Sequence, residues 1–343
     1  LRSFDGEAVR AKQRHYAAPS IDGLEIRARL CRRTVLSAKA VLAGVRHLPT
    51  TILQSAPSRI FRMSRHYRFR VVNVFAQSRL SGNPLAVFED ATGLNESEMQ
   101  QLALQFNLAE ITFLLPSTVA DAQVRIFTPT FEMPFAGHPT LGTAHVLRAL
   151  GRAGDQLQLQ MRAGTIPVTA QGDTWTLTAN APTYRPYEFS RKQLAQALGL
   201  QEADIASEAV WMNAGIEQLI VPLVSGDAVA RATPQLEAFR AYCRNPREAH
   251  AYVFAHTAPG HVGARYFWYG PGVIAEDPGT GSACANLGGY LLLNGASLPL
   301  RLLIDQGSAT GRPCILYLDI DADRRIQVGG RVVELMQGTL QLD

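Results

Sequence analysis

A phrase repeated about 140 residues apart constrains this chain more than any other feature: Phe135-Ala136-Gly137-His138-Pro139-Thr140-Leu141-Gly142-Thr143-Ala144 and Glu276-Asp277-Pro278-Gly279-Thr280-Gly281-Ser282-Ala283. Aligned on the proline, both read His/Asp-Pro-x-x-Gly-Ser/Thr-Ala. An Arg-x-Phe strand precedes each (Arg125-Ile126-Phe127 and Arg265-Tyr266-Phe267), and an apolar helical run follows each, ending near Gly151 and Gly295. Taken singly, either phrase is also a tight strand-to-helix turn that needs glycine. The matching flanks favour a duplicated domain, in which two helix starts turn backbone N–H groups toward an anion across one cleft.

Composition narrows the setting. The 343 residues suffice for two domains, 47% are apolar, and no run reaches the length of a membrane span. Cys31, Cys243, Cys284 and Cys314 form no CxxC or other metal-ligand spacing, which fits a reducing compartment and a cytoplasmic location. The net charge of +4 is uneven: residues 1–62 carry twelve Lys/Arg against four Asp/Glu, so the remainder is mildly acidic. That balance argues against a nucleic-acid or membrane partner for the body.

Residues 1–62 show no sustained period and are expected to be a disordered extension, with Met63 the natural start of the folded protein. An upstream translated or cloning remnant explains the segment better than a targeting peptide or basic arm, because Asp5, Glu7, Asp22 and Glu25 spoil a transit composition. From there Tyr67–Phe75 alternates as a strand and Leu85–Phe88 pairs with it after Gly82-Asn83-Pro84. Asn95 with Glu98 predicts a capped helix ending at Asn107, and Ile111–Leu115 resumes a strand. The Pro182–Pro186 stretch reads as a linker between domains 63–182 and 183–343, with the final strand free to return to the first. The second half repeats the pattern, with a capped helix at Ser190–Leu198, a strand at Gln218–Leu223 and a helix opened by Thr233-Pro234. The expected class is α+β, with each half wrapping one long central helix.

Glu110 stands where the chain enters an apolar strand, and burial there would poise its carboxyl near neutrality for both taking and returning a proton. On position alone a solvated loop glutamate is the simpler reading. His138 and Asp277 hold equivalent places in the proline alignment, so facing cradles would bring them to one substrate from opposite sides; both are also explained as helix caps. Gly137, Thr143, Gly279, Thr280, Gly281 and Ser282 are the candidate carboxylate binders. His250, His256 and His261 have no ligand spacing with a carboxylate, so no metal is expected.

Together, Asn107-Leu108-Ala109-Glu110-Ile111-Thr112-Phe113, the two glycine phrases, Gly82–Phe88 and Gln306-Gly307 followed by Gly311-Arg312-Pro313 resemble the PhzF-like family of phenazine biosynthesis. The likeness runs from about Met63 to the C-terminus. It implies the diaminopimelate-epimerase fold, with two pseudo-symmetric lobes closing over a small carboxylate-bearing ligand, and a homodimer. It also implies a cofactor-independent isomerase with Glu110 as the proton shuttle, and His138, Gly137, Asp277 and Ser282 around the substrate. Related epimerases oppose two thiols, but here the corresponding turns carry Ala136 and Pro278, and Cys284 lies inside the following helix. Trp268-Tyr269-Gly270-Pro271-Gly272 departs from the family pattern and is expected to add two aromatics beside the cleft. Two rivals stay open: a silent binding or scaffold protein of the same fold, and a two-base epimerase using His138 or Asp277 opposite Glu110.

Overall fold

In a computed structural model the described residues are 64–270 and 272–343, and the expectation for residues 1–62 lies outside them. The alternation around Tyr67 forms β1 (Arg65–Val74), which pairs antiparallel with β2 (Asn83–Phe88). α1 (Glu96–Phe106) follows, with the full capping box between Asn95 and Glu98 and Asn107 closing it in the left-handed region at φ 51°. It carries the chain over to β3 (Glu110–Leu115), parallel to β2 as such a crossover requires. β4 (Ala122–Phe127) and the short β5 (Glu132–Met133) lead into α2 (Gly137–Ala149), and α2 returns the chain to β6 (Gln156–Met161), parallel to β4. β7 (Gly164–Gln171) and β8 (Thr174–Thr178) complete this array as antiparallel neighbours.

The same order of connections then recurs. β9 (Thr183–Pro186) pairs with β10 (Val210–Asn213), with α3 (Arg191–Leu198) between them, and β10 pairs with β11 (Glu217–Pro222). α4 (Gly226–Arg231) and α5 (Leu236–Tyr242) cross to β12 (His250–Ala258), parallel to β11. β13 (His261–Tyr269) and β14 (Ile274–Asp277) lead into α6 (Gly281–Leu293), which returns to β15 (Leu300–Gln306), parallel to β13. β16 (Cys314–Ile320) and β17 (Ile326–Leu342) close the chain. The class is α+β. The stretch read as a linker is not one: Thr183–Pro186 forms a ladder with β10, a partner too distant in sequence for local turn signals to reveal.

β17 pairs with β16 and β8 through its first residues and with β1 along the rest, so β1-β2-β3-β4-β6-β7-β8-β17 forms a closed ring. α2 runs against this ring with His138 to Ala144 all buried, and α6 has its own buried face against β10, β11, β16 and β17. Both helices share one core, which includes Leu141, Val146, Leu287 and Tyr290. Smaller cores lie under α1, built around Phe88 stacked on Phe113 at 4.8 Å, and under α3 to α5.

Gly307, just after β15, has φ 85°, and a methyl group there would come within 2.4 Å of the backbone oxygens of both Arg312 and Pro278. Neither oxygen can rotate away. Gly307→Ala is therefore expected to cost about 2–5 kcal/mol, from left-handed strain plus backbone overpacking. Urea denaturation measures it directly.

Candidate active site

The two halves reach the site through matching local structure. In the β4–β5 ladder Phe127 faces Glu132, and in the β13–β14 ladder Phe267 faces Glu276. Arg125 grips Glu132 with two bonds (Nε to Oε1 2.8 Å, Nη2 to Oε2 2.6 Å), and Arg265 grips Glu276 likewise (3.0 and 2.7 Å). Counting on from those glutamates, Pro134 matches Pro278 and Gly137 matches Gly281, each the first residue of its helix. His138 therefore corresponds to Ser282, and Asp277 to Met133. The proline alignment was out of frame because Pro139 lies in the first turn of α2, where its missing N–H is harmless, whereas Pro278 precedes the cap of α6.

The helix starts abut. A methyl group on Gly137 would stand 3.7 Å from Gly281 Cα and 3.9 Å from Ser282 N, a separation that larger side chains would widen. Neither helix has a side-chain cap: the N-cap residues are Ala136 and Thr280, and the Thr280 hydroxyl is donated to Asp277 instead. Two positive helix ends thus converge with first-turn N–H groups that no side chain caps.

Around this point stand Glu110, His138, Asn83 and Asp277. Glu110 opens β3 in register with Leu85, and its Oε2 lies 3.6 Å from His138 Nε2. Burial, with a smaller contribution from the negative Asp277, pushes the Glu110 carboxyl up to about 8. His138 is pushed down to about 3 by burial, against a bond to the Pro84 carbonyl. Its Nε2 has no hydrogen-bond partner, so that bond belongs to Nδ1 and the ring is neutral. A neutral ring offers no cation to pull the Glu110 carboxyl back down. Asn83 Nδ2 donates to Asp277 Oδ1 and to Gly279 O, both at 3.0 Å, which fixes the amide orientation. Burial raises Asp277, while bonds from Thr280, Asn83 and the Gly279 N–H oppose the rise.

Among the described residues, Glu110 Oε2, His138 Nε2 and Asn83 Oδ1 are buried polar atoms without hydrogen-bond partners. Each such group costs about 1–3 kcal/mol unless a ligand satisfies it.

The structure thus brings Glu110, His138, Asp277, Gly137, Gly281 and Ser282 together. Gly279 and Thr280 join them by holding Asp277. Thr143 does not: it is fully buried further along α2, with Oγ1 2.8 Å from Thr112 Oγ1. Of the two aromatics expected beside the cleft, Tyr269 sits elsewhere: it lies under Arg240 at 5.0 Å and packs against the core of α3 to α5. Cys243, Cys284 and Cys314 are buried and their thiols are pushed up by burial, which disfavours thiolate chemistry. Among the described residues no group of three or more His, Cys, Asp or Glu could hold a metal, and no helix is long and apolar enough to cross a membrane. Asn83 was visible only as a turn residue in Gly-Asn-Pro; its reach to Asp277 spans the chain.

These elements define an α+β protein with acid–base groups gathered at paired helix starts. The chain belongs to the PhzC-PhzF family, whose model, described as phenazine biosynthesis-like protein, matches residues 72–338, and it is an isomerase. It is 38% identical over 277 residues to an uncharacterized isomerase, PM1503, of Pasteurella multocida, covering 80% of this chain and 94% of that protein. It is also 38% identical over 260 residues to the trans-2,3-dihydro-3-hydroxyanthranilate isomerase of Pseudomonas aeruginosa, covering 73% and 89%. The crystal structure of a Bacillus anthracis phenazine biosynthesis protein of the PhzF family matches with TM-score 0.73 and 26% identity, over 81% of this chain and 100% of that one.

Proposed function

We propose that this isomerase moves a proton between two positions of a small carboxylate-bearing substrate, with Glu110 as the single acid–base group. The strand arrays β1–β8 and β9–β16, with β17 shared between them, act as two pseudo-symmetric lobes around the ligand. The observation that carries this reading is the meeting of three unsatisfied buried atoms, on Glu110, His138 and Asn83, beside two uncapped helix starts.

The chemistry follows from the surroundings of each group. The helix starts hold the carboxylate. Glu110 as carboxylate takes a proton from one carbon, and the electron pair delocalises over the adjoining unsaturated system. The same carboxyl then returns the proton at a second carbon. A group near 8 serves both steps, because at neutral pH its two forms differ by only about 1 kcal/mol. His138 Nε2, an acceptor in its neutral ring, orients a substrate N–H or O–H, and Asp277 faces the same cleft.

Turnover of trans-2,3-dihydro-3-hydroxyanthranilate in D2O, followed by NMR, tests the shuttle. Deuterium entering at a second carbon supports it; inversion with exchange at one carbon replaces it with the two-base epimerase, and ligand binding without turnover with the silent scaffold. In the free enzyme, kcat/KM is expected to rise tenfold per pH unit and level off near pH 8, where Glu110 becomes the base. Asp277→Asn removes a negative neighbour, so residual activity should level off at lower pH.

A further inference from the structure

We propose that Gln218 is a positioning residue that makes the Ser282 hydroxyl a hydrogen-bond donor toward the substrate carboxylate. The inference rests on the reading of the paired helix starts as a carboxylate site, and it follows from a chain of bonds whose directions are set by the backbone.

The chain begins in the turn between β10 and β11. The Ala214 N–H donates to Asn286 Oδ1 at 2.7 Å, and the Ile216 carbonyl accepts from Asn286 Nδ2 at 2.9 Å. A backbone N–H can only donate and a carbonyl can only accept, so the Asn286 amide has one orientation. Its second Nδ2 proton goes to Gln218 Oε1 at 2.8 Å. That in turn settles Gln218: its Nε2 donates to Ser282 Oγ at 3.0 Å and to Tyr266 OH at 3.3 Å. Gln218 and Asn286 are both buried, so water does not scramble the order.

Ser282 Oγ is therefore an acceptor on its inner side. Its own proton points away from Gln218, and Ser282 is the second residue of α6, beside Gly137 and the start of α2. The hydroxyl adds a directed donor to the N–H groups that face an anion there. Had the Gln218 amide been reversed, its oxygen would have drawn the Ser282 proton inward and left a lone pair facing the carboxylate.

The test uses the full chain with anthranilate and 3-hydroxyanthranilate as probes, titrated by calorimetry. Ser282→Ala is expected to weaken binding roughly 10- to 100-fold, as for a hydrogen bond to a charged group. Gln218→Glu keeps the bond from Asn286 but turns an acceptor toward Ser282, and should weaken binding by a similar factor; Gln218→Leu removes the orienting donor but leaves the Ser282 proton free to turn to the carboxylate, and should weaken binding only a few-fold. Ser282→Ala should then cost nothing further in Gln218→Glu, yet still weaken binding in Gln218→Leu. Circular dichroism identifies any variant that fails to fold, and the other variant then carries the comparison. A multiplying loss in the Gln218→Glu double variant, wild-type affinity in Gln218→Glu, or a loss in Gln218→Leu as large as that of Ser282→Ala would overturn the proposal while leaving the carboxylate site standing. If the wild-type chain binds neither probe, the carboxylate reading falls and this inference falls with it.

Discussion

Glu110→Gln is expected to lower kcat by about a hundred- to ten-thousand-fold, the usual worth of a positioned acid–base group, with little change in ligand affinity. Glutamine keeps the volume and one oxygen, so the bound substrate loses few contacts. What it lacks is a proton that can leave and return. His138 cannot take over as base, since its neutral ring is held far below the working pH and its Nδ1 is engaged with Pro84. Asp277 is already bonded by Thr280, Asn83 and Gly279. Steady-state kinetics with trans-2,3-dihydro-3-hydroxyanthranilate as the trial substrate measures the loss, and activity within a few-fold of wild type would end the proposed mechanism.

The same substitution should stabilise the fold at alkaline pH. Burial raises the Glu110 carboxyl from an ordinary 4.5 to about 8, so between those pH values the folded chain binds a proton that the unfolded chain has released. Stability contributed by the protonated carboxyl is fully present below about 4.5 and declines as pH rises toward 8, where burying the charge costs about 5 kcal/mol in all. Glutamine has no proton to lose. Urea denaturation at pH 5, 7 and 9 should therefore show a gap between variant and wild type that widens by several kcal/mol with pH. Parallel stability curves would show that Glu110 is not withdrawn from water. A variant that is more stable and almost inactive separates loss of chemistry from loss of fold.

What the sequence showed was mostly local. The capping pair Asn95 and Glu98, the left-handed stop at Asn107 and the Ser190–Gln193 box each depend on residues three or four apart, and all appear in the structure. Glu110 and His138 were found because each adjoins a helix or strand terminus that the pattern marks. The frame of the duplication was missed because proline serves two different roles in the two copies, while the ladder pairs that set the frame, Phe127 with Glu132 and Phe267 with Glu276, carry no periodic signal. Gln218 and Asn286 were equally hidden. A buried amide in an apolar strand or helix looks like an ordinary polar interruption until its partners from other elements are in place.

The last strand has a consequence for biosynthesis. β1 is among the first segments of this body to leave the ribosome, yet its partner runs to Leu342, so the ring around α2 cannot close until β17 has emerged as well. Until then, the apolar face of α2 has an unsealed wall, and both halves wait on the one strand they share.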